Sequence, residues 1–261
     1  MPRYVCCCRY DGTAYRGFQV QVEENTVCRV LQDALEQLFR VRPEIKGCSR
    51  TDSGVHAYAF CFSFLCEKEI DPKRLPAALN TFLPPDVAVV QASFAPEDFH
   101  PRYDCLGKEY VYRVLNRRLR DPFYEKKALL WPGKLDEKML NRAARAFVGE
   151  KDFTSFCGSN GKEKEDMVRE ITEFSVTRKG DEIFFRVRGT GFLYHMVRIM
   201  VGTLLQIAQG VYPEDSVEEM LQAKDRRVAG MTAPAHGLYL NRVFYDPVLL
   251  SAAEEGAPWL K

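Results

Sequence analysis

The sequence predicts an α+β protein built as two subdomains, and three observations predict it. Amphipathic helical periods and hairpin-connected strand periods occur together in both halves of the chain. At 261 residues the chain is long enough for one large domain or two small ones. With 46% hydrophobic and 28% charged residues it has the composition of a globular protein that can fill a sizeable core. The expected limits are a first subdomain over 1–105, a second over 106–246, and a tail over 247–261 in which no pattern is visible.

Residues 3–9 read as a strand that ends in the turn Tyr10-Asp11-Gly12. Val27, Val30, Leu31, Ala34, Leu35, Leu38 and Phe39 then follow a 3.6-residue period, which predicts a helix over 26–39 capped by Asn25 or Thr26. After the stretch G-C-S-R-T-D-S-G-V-H (47–56) comes a strand with Tyr58, Phe60, Phe62 and Phe64 on one face and Ala57, Ala59, Cys61 and Ser63 on the other. Four aromatic anchors fix the register of that strand and make it a stiff support for the loop before it. A helix is expected over 72–80, a strand over 87–94 and another over 108–115.

Past the turn-rich stretch from Arg117 to Lys127, Leu135, Met139, Leu140, Ala143 and Phe147 predict an amphipathic helix stopped by Gly149. Residues 170–178 and 182–189 read as a hairpin across Lys179-Gly180-Asp181. A long apolar helix from Gly191 to Gln209, a shorter one near 213–223 and a strand near 238–245 complete the second half. The apolar run carries His195 and Arg198 near its middle, and hydrocarbon penalises a central Arg by ~3 kcal/mol, so it reads as a buried helix and not a membrane span.

Net charge is +1, so bulk charge does not make the chain a polyanion binder, and any nucleic-acid surface must be a local patch. The nine cysteines are an odd number with no C-x-x-C pair. Cys6, Cys7 and Cys8 are consecutive in a strand and point to alternate faces, which suits small buried side chains and not zinc ligands. No signal-peptide pattern opens the sequence, and the expected location is the reducing cytoplasm.

Three stretches hold chemistry-bearing residues. Asp52 follows Arg50 and Thr51 among turn formers, and it reads either as a turn residue or as a placed carboxylate. From Phe99 to Arg120, six Lys/Arg stand against two acids and alternate with Phe99, Tyr103, Tyr110 and Tyr112. Cations that neutralise phosphates beside rings that stack bases suit single-stranded or looped RNA, and core aromatics on a solvated strand edge are the plainer reading. Arg198 stands alone in an apolar run. A buried guanidinium needs an acid partner, either a structural one or a catalytic carboxylate that it keeps ionised. His195, three residues earlier, falls on nearly the same helix face and reads as a hydrogen-bonded core histidine.

The chain resembles the TruA-type tRNA pseudouridine synthases. The resemblance lies in R-Y-D-G-T-A-Y-R-G-F-Q (9–19), S-R-T-D-S-G-V-H-A (49–57), D-F-H-P-R-Y (98–103), K-E-Y-V-Y-R-V-L-N (108–116), D-F-T-S-F (152–156), G-F-L-Y-H-M-V-R-I-M-V-G-T-L (191–204) and G-L-Y-L (237–240). These blocks occur in the family's order across nearly the whole chain. The resemblance implies the pseudouridine synthase fold, with mainly antiparallel sheets flanking a central RNA-binding cleft, and an isomerase of the tRNA anticodon stem-loop acting at positions 38, 39 or 40. It implies Asp52 as the catalytic aspartate, Arg198 as its basic partner and Tyr110 as the ring stacked on the target base. Arg50 would open the stem and fill the vacated base position, and Leu240 would line the pocket. Arg102, Lys108, Arg117, Arg118, Arg186 and Arg188 are candidate RNA contacts.

The resemblance further implies no cofactor, no metal, no membrane, and a homodimer in which both subunits contact one tRNA. A synthase for another RNA, or a tRNA-binding folding factor, are the alternative readings. Phe18, Ser49 and Pro101 depart from the residues commoner in the family, which bears on loop geometry and substrate preference and removes no proposed catalytic group.

Overall fold

The computed structural model describes residues 1–22, 24–159, 166–247 and 256. The elements run β1 (Arg3–Tyr10), α1 (Val27–Phe39), β2 (Lys46–Gly47), β3 (His56–Leu65), α2 (Leu75–Asn80), β4 (Val87–Ala95), β5 (Gly107–Leu115), β6 (Leu129–Leu130), α3 (Glu137–Arg145), β7 (Gly149–Asp152), β8 (Val168–Lys179), β9 (Glu182–Gly189), α4 (Met196–Ala208), α5 (Ser216–Ala223) and β10 (Leu238–Phe244). Short 3-10 turns link several of them. The fold is α+β, with strands of both halves mainly antiparallel. Two compact units divide the chain: Met1–Lys108 with the chain from Tyr239 onward, and Glu109–Leu238. The expected tail over 247–261 lies outside the described residues apart from 247 and 256.

In the first unit the strand order is β4-β1-β3-β10. β3 is the central strand: β1 covers one edge, while the other is shared by β10 beside His56 and Ala57 and by β2 beside Phe62 and Ser63. Both of its faces are buried, as the alternation of rings and small residues allows. Tyr4 stacks on Phe64 at 5.1 Å, and Phe39 of α1 reaches both rings at 6.1 and 5.8 Å, so α1 is pinned to the sheet through its last residue. Thr26 is the cap of α1, accepting from the Arg29 N–H, and Arg40 ends the helix in the left-handed region at φ 64°.

The final strand, read from its position as part of the second half, pairs in parallel with β3, with Tyr239 opposite His56 and Leu240 opposite Ala57. Parallel partners need not be neighbours in the chain, so no local pattern announces such a pairing.

In the second unit the order is β5-β9-β8-β7, with β6 beside β5. The β8–β9 hairpin forms as expected, Lys179 opposite Glu182 and Gly180 in the turn at φ 61°. A bulge between Ile171 and Glu173 shifts the alternation of β8, so that Ile171 and Phe174 are both buried. Asn141 of α3 bridges the Val176 peptide, donating to its carbonyl at 2.5 Å and accepting from its N–H at 2.8 Å, which fastens α3 to β8. The long apolar helix is shorter than its hydropathy suggests. It begins at Met196, and His195 stands outside it in the left-handed region at φ 58°. His195 therefore does not share a helix face with Arg198, because hydropathy marks burial and not where helical backbone starts. Among the described residues no helix is long and apolar enough to cross a membrane.

None of the nine cysteines is joined in a disulfide, and all but Cys105 are buried. Burial pushes the Cys6, Cys8 and Cys48 thiols up, and that of Cys28 up to about 11 against the opposing pull of Arg42. Burial raises the half-buried Cys105 thiol as well, and since thiolate is the reactive form, the native protein at pH 8 is expected to give at most one reacting thiol with a disulfide reagent, and all nine only after denaturation. Several fast thiols in the native state would contradict this packing.

Candidate active site

In the first unit, Asp52 lies in a loop clamped against the 9–19 stretch. The Asp52 carbonyl accepts from the Val55 N–H at 3.2 Å, closing a tight turn through Ser53 and Gly54. Further support comes from the 9–19 stretch. Tyr10 and Thr51 share a hydroxyl hydrogen bond at 2.8 Å, in a buried setting worth roughly 1 kcal/mol. The Phe18 N–H donates to the Thr51 carbonyl at 3.3 Å, and the Gly54 N–H donates to the Tyr15 carbonyl at 3.2 Å. Gly17 sits at φ 86° with its α-carbon against the Thr51 carbonyl, where a methyl group would overlap that oxygen. Thus two blocks far apart in sequence form one clamped structure.

Below the loop, Phe60 of β3 is fully buried, stacked on Phe18 at 4.0 Å and tilted against Tyr10 at 5.8 Å. The aromatic strand grips the 9–19 stretch, and that stretch grips the loop. Asp52 is half-buried, Arg50 is exposed, and Thr51 between them is buried, so the two charged side chains leave a fixed backbone. Leu240 is fully buried on β10, in register with Ala57 just beyond the loop. His56 stacks on Tyr239 at 4.6 Å, and its Nδ1 lies 3.1 Å from both the Gly12 nitrogen and Asp11 Oδ1.

In the second unit, Arg198 lies in the first turn of α4 and is half-buried. The stretch Ala229–Pro234 straps this helix. Arg198 Nε donates to the Ala233 carbonyl at 2.8 Å, and the Ala233 N–H returns a bond to the Arg198 carbonyl at 3.0 Å. Gly202, one turn on, touches the Met231 carbonyl so closely that a methyl group could not be placed there. The carbonyl after that of Ala233, on Pro234, accepts from the Tyr112 hydroxyl at 2.7 Å. Consecutive carbonyls therefore tie Arg198 to Tyr112, which shares a strand face with Tyr110. Burial raises the Tyr112 phenol, and the positive charge of Arg198 opposes that rise. Tyr110 is 6% exposed, and Phe192 meets its ring edge-on at 5.0 Å. Burial lowers the His236 imidazole, with Lys126 and Arg198 adding to the effect and Glu125 opposing it.

Of the candidate RNA contacts, Arg102, Arg118 and Arg188 are exposed. Arg186 is half-exposed and paired with Glu173 at 3.2 Å, and Arg117 is bonded to the Leu119 carbonyl and to Asp121. Lys108 is buried at 9% exposure, which takes it off the surface where phosphates are met. The aromatic residues of the 99–120 stretch divide likewise: Phe99, Tyr110 and Tyr112 are core, and only Tyr103 is exposed. Residues that sequence reasoning passed over are Phe192 and His236, whose places depend on long-range packing, and Phe123, treated below. Among the described residues no group of three or more His, Cys, Asp or Glu is arranged to hold a metal ion.

Comparison with known proteins adds the following. A family model described as tRNA pseudouridine synthase matches residues 6–104 and 143–246, which include Asp52, Arg198 and Leu240 and leave Tyr110 between the two segments. The chain is similar to tRNA pseudouridine synthase A of Exiguobacterium sibiricum, with 42% identity over 245 residues covering 94% of this chain and 97% of that protein. It is likewise similar to tRNA pseudouridine synthase A of Bacillus subtilis, with 43% identity over 246 residues covering 94% and 99%. Among solved structures, a Cbf5–Nop10–Gar1 complex overlaps 90% of this chain and 57% of its own at 12% identity and a TM-score of 0.38, too low to bear on the site.

Proposed function

The chain belongs to the tRNA pseudouridine synthase family, and from that premise we propose that it isomerises uridine to pseudouridine in tRNA. The observation that carries this reading is the identity above 40% along nearly the full length of proteins named tRNA pseudouridine synthase A. The proposed target is the anticodon stem-loop at positions 38, 39 or 40, with the protein acting as a cytoplasmic homodimer.

The reaction breaks the N1–C1′ bond, turns the base, joins C5 to C1′ and releases the C5 proton. It consumes no oxidant and has no external leaving group. What it needs is an ionised acid at the sugar, a flat surface for the detached uracil, and little water. In this reading Asp52 is the acid, either as the nucleophile at C1′ or as the base that removes the 2′-proton. Arg198 is its basic partner in this reading, and the carbonyl strap supports that role by orienting the guanidinium. Tyr110 holds the flipped base by stacking, Leu240 supplies apolar wall, and Arg50 fills the place the base leaves. Extruding the base costs a few kcal/mol, which phosphate contacts from Arg102, Arg118, Arg186 and Arg188 help to offset.

The test is direct. Purified protein incubated with unmodified tRNA labelled with tritium at uridine C5 is expected to release the label, and the product is expected to carry pseudouridine in the anticodon arm. Failure to release tritium from any tRNA would reject the activity, and release from other positions would reject only the proposed target.

A further inference from the structure

The loop between β5 and β6 presents an aromatic ring that the fold does not use. Phe123 is 92% exposed, more than any other large apolar side chain described, and Leu119 in the same loop is 75% exposed. This ring stands on an ordered turn. The Asp121 carboxylate accepts from the Phe123 N–H at 3.0 Å, and the Tyr124 N–H donates to the Asp121 carbonyl at 3.0 Å. Pro122 fixes one backbone angle between them. The next residue turns inward. The Tyr124 hydroxyl donates to Glu182 at 3.1 Å, its ring lies 5.6 Å from the Arg113 guanidinium, and Arg113 pairs with Glu182 at 2.6 Å. The Tyr124 carbonyl then accepts from the N–H groups of Lys127 and Ala128. The anchoring tyrosine and the outward phenylalanine are adjacent, so the turn holds Phe123 away from the core.

The charge around this ring is positive. Arg117, Arg118, Arg120, Lys126 and Lys127 stand against Asp121 and Glu125. Asp121 pairs with Arg117, so those two charges offset each other and leave Arg118, Arg120, Lys126 and Lys127 against Glu125. A ring without polar atoms reads no base identity but stacks on any base, and cations beside it meet the flanking phosphates. A two-fold contact of the loop with itself in a second copy would set these cations against one another, which disfavours that occupant.

We propose that residues 117–127 form a base-stacking element, in which Phe123 lies against an unpaired nucleobase of the bound RNA and Arg118, Arg120 and Lys126 contact the phosphates beside it. The inference rests on an RNA substrate, as proposed above, and adds a second base contact to the one proposed for Tyr110.

F123A and F123W test it, with tRNA, a hairpin RNA with an unpaired loop, and a fully paired duplex of equal length as probes. Because the ring is exposed, F123A is expected to melt as wild type does. Its affinity for tRNA and for the hairpin should fall about tenfold, with duplex affinity unchanged. F123W should restore hairpin affinity, and its added indole emission should be quenched when the hairpin binds. Equal hairpin affinity of F123A and wild type overturns the proposal, as does an equal loss on hairpin and duplex. If F123A instead sediments as a smaller species with its RNA affinity intact, the ring serves a protein contact and the proposal is also overturned. Tritium release by the wild-type protein is scored separately, so loss of the catalytic reading would be distinguishable from loss of this contact.

Discussion

Replacing Asp52 by Asn is expected to lower tritium release from C5-labelled tRNA by at least about a thousandfold, or ~4 kcal/mol of transition-state stabilisation, while tRNA affinity stays within about a factor of two of wild type. Both proposed chemical roles of the residue require an ionised oxygen, and an amide supplies neither a nucleophile for C1′ nor a base for the 2′-proton. The turn itself is closed by the Asp52 carbonyl and the Val55 N–H, which survive the substitution. A loss of activity therefore reports chemistry and not collapse of the loop. Asn followed by Ser53 is prone to deamidate back to Asp, so D52A is the control for residual activity. If either variant keeps more than about a tenth of the wild-type rate, Asp52 is not the catalytic acid.

Phe60→Ala is expected to produce the largest loss of stability among single changes near the site. The ring is fully buried between Phe18 and Tyr10, so truncation removes its transfer free energy and leaves a cavity, together about 3–5 kcal/mol. In a chain of this size that corresponds to a fall in melting temperature on the order of 10 °C. The stack also links the 9–19 stretch to the Asp52 loop, so kcat is expected to fall more than KM rises in preparations that remain folded. F60L, which fills most of the volume, should cost about 1 kcal/mol. A loss below about 1 kcal/mol for F60A, read by chemical denaturation, would show that the loop does not depend on this stack.

Features encoded in local periodicity were legible before the structure. The 3.6-residue period of α1, the alternation in β3 and the two-residue turn of the β8–β9 hairpin each report on residues within a few positions of one another. Asp52 stood out for a different reason, the company of Arg50 and the match of its block to a family. What local pattern did not carry is which exposed-looking residue is buried. Tyr110 and Tyr112 have the alternation of a half-solvated strand, yet the strap from Ala229 to Pro234 and the ring of Phe192 cover them. Lys108 carries a charge that suggested surface, but the packing around it leaves 9% exposed. Conversely, Phe123 was passed over inside a turn-rich stretch, and it is held outside by its neighbours Asp121 and Tyr124. The strands β2, β6 and β7 are too short to show a period at all.

The parallel pairing of β10 with β3 bears on how the chain is made. The first unit is interrupted by the whole of the second, so a ribosome delivers its N-terminal part before the second unit and its last strand only after it. Until then the edge of β3 at His56 and Ala57, directly after the Asp52 loop, waits without its partner. Closing a contact of such long sequence separation is slow compared with local folding. The second unit, contiguous in sequence, can finish first and carry the final strand back. Chains truncated before Leu238 and released from the ribosome are thus expected to contain a protected second unit beside an N-terminal part that a protease still cuts, because the Asp52 loop matures only after the second unit has been made.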